Sequence, residues 1–128
     1  MTTSTKATVL DKKASARMER QLTKALTDAC ETAKPMLPGF AWLTHLVDYR
    51  RFPDSLRVIW VFKTQDDLAR ALKGDGRQRM RELTEAAFFD AEIKIADIDA
   101  HLDADSEEEC RRVHGGDWEH RLAIMERH

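Results

Sequence analysis

The densest chemistry in the chain lies between Arg70 and Arg81. Arg70, Lys73, Arg77, Arg79 and Arg81 stand there against a single acid, Asp75, around the turn Gly74-Asp75-Gly76. Cationic side chains beside a glycine turn that opens a helix suit a phosphate. The first N–H groups of a helix lack intrahelical partners, and its dipole is positive at that end. These five residues form a candidate nucleic-acid-binding set, although a solvated basic helix face has the same composition.

A second group is acidic: Asp97, Asp99, His101, Asp103 and Asp105 alternate along the chain. On a strand the first four share one face, and carboxylates with an imidazole can hold a divalent cation. Residues two apart on a strand are about 7 Å apart, too far for all of them to reach one ion. Charge on an exposed strand also discourages edge-to-edge pairing. Cys110 and His114 lie four apart on a helix, as metal-ligand pairs do, with Asp117 and His120 close in sequence. No second Cys or His pair completes a tetrahedral set. No metal site or cofactor is assigned. His45 reads as a core or edge histidine. Ser4, Ser15, Ser55 and Ser106 fall in a loose arm, a helix start, a turn and a helix entry. There is no G-x-S-x-G, P-loop, dinucleotide fingerprint or H-E-x-x-H. Nothing nominates a catalytic residue, and the chain reads as a binding protein rather than an enzyme.

The elements that must position these groups centre on Phe40 to Phe62. This stretch reads as a hairpin with Phe52-Pro53-Asp54-Ser55 as its turn. In the first strand Phe40, Trp42, Thr44 and Leu46 share a face opposite Leu43, His45 and Val47. In the second, Leu56, Val58, Trp60 and Phe62 oppose Ile59 and Val61. Before the hairpin, Met18, Leu22, Ala25, Leu26, Ala29, Cys30 and Ala33 recur every three or four residues, which predicts a helix over 11–33. Pro35 ends it by disfavouring a helical Lys34. After the hairpin, Thr64 caps a short helix with Leu68 and Leu72 on its apolar side, ended by Gly74. A further helix spans about 77–88. Residues 91–104 read as extended with a change of phase after Ile95, the mark of a bulge or of two short strands. Asp105 is the expected cap of a helix that Glu108 would box and Gly115 would stop. A last helix over 117–126 carries Trp118, Leu122 and Met125 on one side.

The fold class that follows is α+β, an antiparallel sheet centred on the 40–62 hairpin and packed by the long N-terminal helix and a helix pair. The order is helix-strand-strand-helix-helix-strand-helix-helix. Residues 1–10 form a disordered arm, and 11–128 one domain, the usual arrangement for 128 residues. With 42% hydrophobic and 34% charged residues and a net charge of −2, there is no global basic field, so any nucleic-acid contact must be local. Cys30 and Cys110 read as reduced core thiols. The absence of an apolar leader or of a run long enough to span a membrane predicts a cytoplasmic protein with no membrane partner.

Two resemblances add to this. The order helix–strand–strand–helix–helix–strand resembles the second type of K-homology domain, which grips single-stranded nucleic acid with a GXXG loop between adjacent helices. Gly74-Asp75-Gly76 stands at that place with its glycines one residue apart rather than two. Separately, PGFAWLTHLVDYRRFPDSLRVIWVFKT and DSEEECRRVHGGDW resemble a small proteobacterial family whose members carry the label of Fis-family transcriptional regulators. That resemblance implies a regulatory role and no catalytic residues. Fis-like proteins end in a helix-turn-helix, whereas here a C-terminal helix opens with Glu107, Glu108 and Glu109, which phosphates would repel. Two partners are therefore expected: nucleic acid at Arg70–Arg81, or a second copy or protein partner on the hairpin face of Leu43, Val47, Ile59 and Val61.

Overall fold

A computed structural model describes residues 10–126. The expected N-terminal arm lies outside the described residues except for Leu10, which packs on the core and donates its N–H to Tyr49 O (3.2 Å).

Helix α1 (Lys12–Ala33) starts where Asp11 accepts from Ala14 N–H (2.7 Å) and buries Leu22, Ala25, Leu26, Ala29 and Ala33. Lys34 keeps helical dihedrals (φ −54, ψ −46) despite the proline that follows. Pro35 thus ends the helix by removing a donor rather than by excluding Lys34 from it. Strands β1 (Phe40–Leu46) and β2 (Arg57–Phe62) pair antiparallel, with Leu43 opposite Trp60 and Thr44 opposite Ile59. Their connection is longer than a tight turn. It holds a 3-10 turn at Tyr49–Arg51, and Ser55 ties it together by accepting from Asp48 N–H and donating to Asp48 O (2.9 and 2.8 Å).

A bulge between Phe40 and Trp42 changes which residues of β1 share a face. Phe40 joins Leu43 on the side of Val58, Trp60 and Phe62, and these pack with α1 into the main core. Trp42 and Thr44 lie opposite Val61 and Ile59 on the other side. The expected grouping of Leu43 and Val47 with Ile59 and Val61 is therefore corrected, since Leu43 and Val47 belong to the main core.

Helices α2 (Gln65–Lys73) and α3 (Gly76–Asp90) follow, with Thr64 Oγ1 accepting from Asp67 N–H (3.0 Å) at the first cap. Met80, Ala87 and Phe88 of α3 enter the main core. Trp60 Nε1–H donates to Thr84 Oγ1 (3.2 Å), whose hydroxyl donates to Met80 O (2.7 Å). Both buried polar groups are thereby satisfied.

The expected extended segment 91–104 is mostly not a strand. Asp97 accepts from Asp99 N–H (3.1 Å) and starts a 3-10 turn, Ile98–His101, so only β3 (Leu102–Ser106) is extended. β3 lies parallel to β2, which makes the three-stranded sheet mixed in the order β1-β2-β3. Ser106, not Asp105, caps α4 (Glu107–His114) by accepting from Glu109 N–H (3.0 Å). Glu108 does not close a capping box; it accepts from Gln65 N–H (2.8 Å). Gly115 (φ 62) ends α4 in the left-handed region, with N–H bonds from Gly115 and Gly116 to Arg111 O and Cys110 O.

Helix α5 (Trp118–Glu126) closes the second face of the sheet. Trp118 packs edge-on against Trp42 (ring centroids 4.8 Å apart), Arg57 donates to Met125 O, and Arg121 forms an ion pair with Asp105. Ile59 and Val61 are 0% exposed. The apolar face expected to await a partner is thus filled by the chain's own C-terminal helices, and burial on both sides explains why β2 reads as one apolar run.

Candidate nucleic-acid interface

The basic segment spans the end of α2, the turn and the first half of α3. Gly76 is buried because α3 begins hard against α2: a Cβ there would lie 2.6 Å from Ala71 O and 2.8 Å from Ala71 Cβ. Gly76→Ala is expected to cost about 1–3 kcal/mol, the usual penalty of overpacking, measured by urea denaturation. Gly74, whose nearest atom would be 3.6 Å from such a Cβ, is expected to accept alanine with a smaller loss. Asp75 precedes α3 without making a side-chain cap bond.

The five cations are not equivalent. Lys73 and Arg77 are exposed, Arg79 is half-buried, and none of the three has an acidic partner among the described residues. Arg70 lies 3.9 Å from Asp67. Arg81 is committed to Asp99 (3.2 Å), with its Nε enclosed and not aligned for a hydrogen bond. Arg77 and Asp103 line a groove of about 240 Å³ between α2, α3 and β3, whose apolar walls come from Trp60, Leu68, Leu72, Met80, Leu102 and Ala104. Arg70 and Arg79 line a separate depression of about 340 Å³ with Met36, Leu37, Pro38, the acids Asp67 and Asp75, and Gly76 at the start of α3. Arg77 is thus the one of the five that lines the groove, Arg70 and Arg79 lie on a neighbouring surface with the start of α3, Lys73 is exposed at the end of α2, and Arg81 is held elsewhere. Sequence reasoning found the charges and missed the groove. Leu68 and Leu72 carry the signal of a core stripe, yet Leu72 is 40% exposed.

The acidic series does not gather. Asp97 caps the 3-10 turn, Asp99 faces Arg81, Asp103 pairs with Arg57 (3.3 Å) and Asp105 with Arg121. His101 turns inward, its Nδ1 2.6 Å from Leu56 O. The expectation of one shared face for Asp97, Asp99, His101 and Asp103 fails because Asp97 caps, and Asp99 and His101 belong to, the 3-10 turn rather than a strand. Among the described residues no group of three or more His, Cys, Asp or Glu is placed to hold a metal ion. Cys110 is wholly buried, and burial pushes its thiol pKa up. His114 Nδ1 accepts from Arg121 (3.1 Å) and its ring packs on His120. Cys110 and His114 are thus separately engaged. No helix among the described residues is long and apolar enough to cross a membrane.

No family model, curated protein or solved structure matches the chain.

A polar cluster that sequence reasoning missed joins α1 to the hairpin. Tyr49 Oη–H donates to Glu19 (2.6 Å), and His45 Nε2 lies 3.1 Å from the same carboxylate. Only the register of β1 against α1 brings these residues together, and no spacing in the sequence announces it. Burial alone would raise the Glu19 pKa, but hydrogen bonds from Tyr49 and His45 and the His45 charge hold it below the ordinary glutamate range. Tyr49 is pushed up by burial and by its bond to that carboxylate. A depressed carboxyl stabilises the fold above its unfolded pKa, and that stability is lost as pH falls through the folded value. Wild-type protein is therefore expected to lose stability on acidification below the ordinary glutamate range. Glu19→Gln should lose less over the same interval in pH-dependent urea denaturation, starting from a lower plateau at neutral pH.

Proposed function

We propose that the chain is a non-catalytic module that binds single-stranded nucleic acid along the α2–α3 turn and the adjoining groove. One observation carries this reading: Arg77, exposed and without an acidic partner among the described residues, lines a largely apolar groove between α2, α3 and β3, with the exposed, unpaired Lys73 at the end of α2. A single strand asks for that combination, with charge for its phosphates and apolar walls for its unstacked bases. A duplex would present its bases already stacked. The helix–strand–strand–helix–helix–strand order, which resembles the second type of K-homology domain, supports the same placement of the strand between adjacent helices. A regulatory role of the kind the second resemblance implies would act through this surface.

The test is fluorescence anisotropy of a labelled single strand titrated with protein at several salt concentrations. Binding that weakens linearly on a log–log salt plot, and exceeds binding of the matching duplex, is expected. No binding at low salt, or a preference for duplex, would remove this reading.

A further inference from the structure

The two edges of the sheet differ. In β3 the residues that turn their backbone away from β2 are Leu102, Ala104 and Ser106. Their N–H groups are taken within the chain, by Asp99 O, Asp103 Oδ1 (3.0 Å) and Asp105 Oδ1 (2.8 Å). β1, at the other edge, is open. Lys63 N–H donates to Gly39 O, which sets the phase of the antiparallel ladder, so that beyond the bulge Trp42, Thr44 and Leu46 bond β2. Leu43 and His45 therefore turn their N–H and C=O groups outward, where none has a partner among the described residues. The strand FAWLTHL carries no Asp, Glu, Lys, Arg or Pro, the residues that keep an edge from pairing. A groove of about 370 Å³ runs along this edge, with Leu43, Thr44 and His45 on one side and Thr23, Thr27 and Glu31 of α1 on the other.

We propose that a second copy of the chain occupies this edge, the two β1 strands lying antiparallel about a two-fold axis at Thr44. Leu43 of each copy then stands opposite His45 of the other, and their outward N–H and C=O groups satisfy one another. Thr44 meets its own counterpart on the other face of the sheet, a pairing that strands favour. Charge points to the same occupant. The axis lays the two α1 helices antiparallel, and the flank of α1 beside the groove reads Arg20, Thr23, Thr27 and Glu31, all exposed. Neither Arg20 nor Glu31 has an ion-pair partner among the described residues. An axis passing between Thr23 and Thr27 sets Arg20 of each copy against Glu31 of the other. Because the Ala104 and Ser106 N–H groups are occupied, the sheet has one open edge, so the pairing is isologous and closes at two copies. The α2–α3 groove lies at the β3 edge and stays uncovered, and the dimer stands or falls independently of that groove's ligand.

The experiment is sedimentation equilibrium of the full chain, for which a dimer is expected. Thr44→Lys puts like charges directly opposite each other at the axis and should leave a monomer. Arg20→Glu turns two attractions into repulsions and should weaken dimerisation about tenfold, and adding Glu31→Arg should restore it. Thr44→Cys should yield a disulfide-linked dimer on mild oxidation, since the Cα atoms of a non-hydrogen-bonded antiparallel pair lie about 4.5 Å apart, within disulfide reach. Wild type, with Cys30 and Cys110 alone, should not. Circular dichroism checks that each variant folds. Arg20 and Glu31 are exposed and hold no ion pair among the described residues, so their exchange decides the matter if a Thr44 variant misfolds. A wild-type monomer at about 100 μM overturns the proposal. So does a dimer that neither Arg20→Glu nor folded Thr44→Lys weakens, because the copies would then meet elsewhere.

Discussion

Replacing Lys73 and Arg77 together by glutamate is expected to weaken single-strand binding more than about tenfold at moderate salt. It should also lower the log–log salt slope by about 1.4, roughly 0.7 for each phosphate that is no longer neutralised. Both side chains are exposed and neither pairs with an acid among the described residues, so their reversal breaks no ion pair described in the fold. Thermal stability should stay near wild type, which separates impaired binding from impaired folding. Arg111→Glu provides the comparison. It places one such charge reversal, half the charge change of the double variant, at an exposed position on α4, and should leave affinity within about twofold because screening at physiological salt acts within about 8 Å. Reversal at Arg79 should have an intermediate effect, since that side chain lines the neighbouring depression rather than the groove. Wild-type affinity in the double variant would place any binding elsewhere on the molecule.

The second large effect concerns the C-terminal cover. Asp105 and Arg121 are joined by two hydrogen bonds, Nε to Oδ2 at 2.6 Å and Nη2 to Oδ1 at 2.9 Å, and their side chains are only 8% and 15% exposed. Arg121→Ala leaves the Asp105 carboxylate enclosed without its cation, and Asp105→Ala strands the guanidinium. Each is expected to destabilise the protein by about 3 kcal/mol, as removing one partner of a buried pair does. The double replacement Asp105→Asn with Arg121→Met should cost less than either single change, because no uncompensated charge remains. Urea denaturation measures all three. The loss should also loosen α5, and Trp118 fluorescence should shift to the red as its packing on Trp42 opens. A single variant that loses under about 1 kcal/mol would show that the pair is solvated and that apolar packing alone holds α5.

Much of the fold was legible because its signals are local. The α1 stripe from Leu22 to Ala33, the Thr64 cap and the Gly115 stop each depend on residues within a turn or two of one another. What escaped depends on partners distant in sequence. The β1 bulge reassigns Trp42, Leu43 and Val47, yet becomes visible only against β2. The alternation from Asp97 to Asp103 imitates a strand, but Asp97 bonding Asp99 N–H wins locally and bends the first half into a 3-10 turn. The parallel placement of β3 follows from the path of α2 and α3 over the sheet, and no residue pattern within β3 encodes it.

The same division applies to the site. Its charges could be counted along the chain, whereas their separation into Arg77 in the groove, Arg70 and Arg79 in the neighbouring depression and Arg81 on Asp99 required the packed helices. The aspartates of β3 read as a candidate metal face or an edge guard. In the fold Asp103 and Asp105 accept from the Ala104 and Ser106 N–H groups, and their charges are paired with Arg57 and Arg121.

The most direct test of the central claim is a residue-resolved titration, following backbone amide chemical shifts of the full chain as an oligo-dC strand is added. Binding in the groove predicts progressive shifts confined to Leu68–Met80 and Leu102–Ser106, with α1 and α5 unmoved and Gly76 and Arg77 among the largest. Shifts centred on α5 or on the Glu19–His45–Tyr49 cluster, or none at saturating strand, would contradict it.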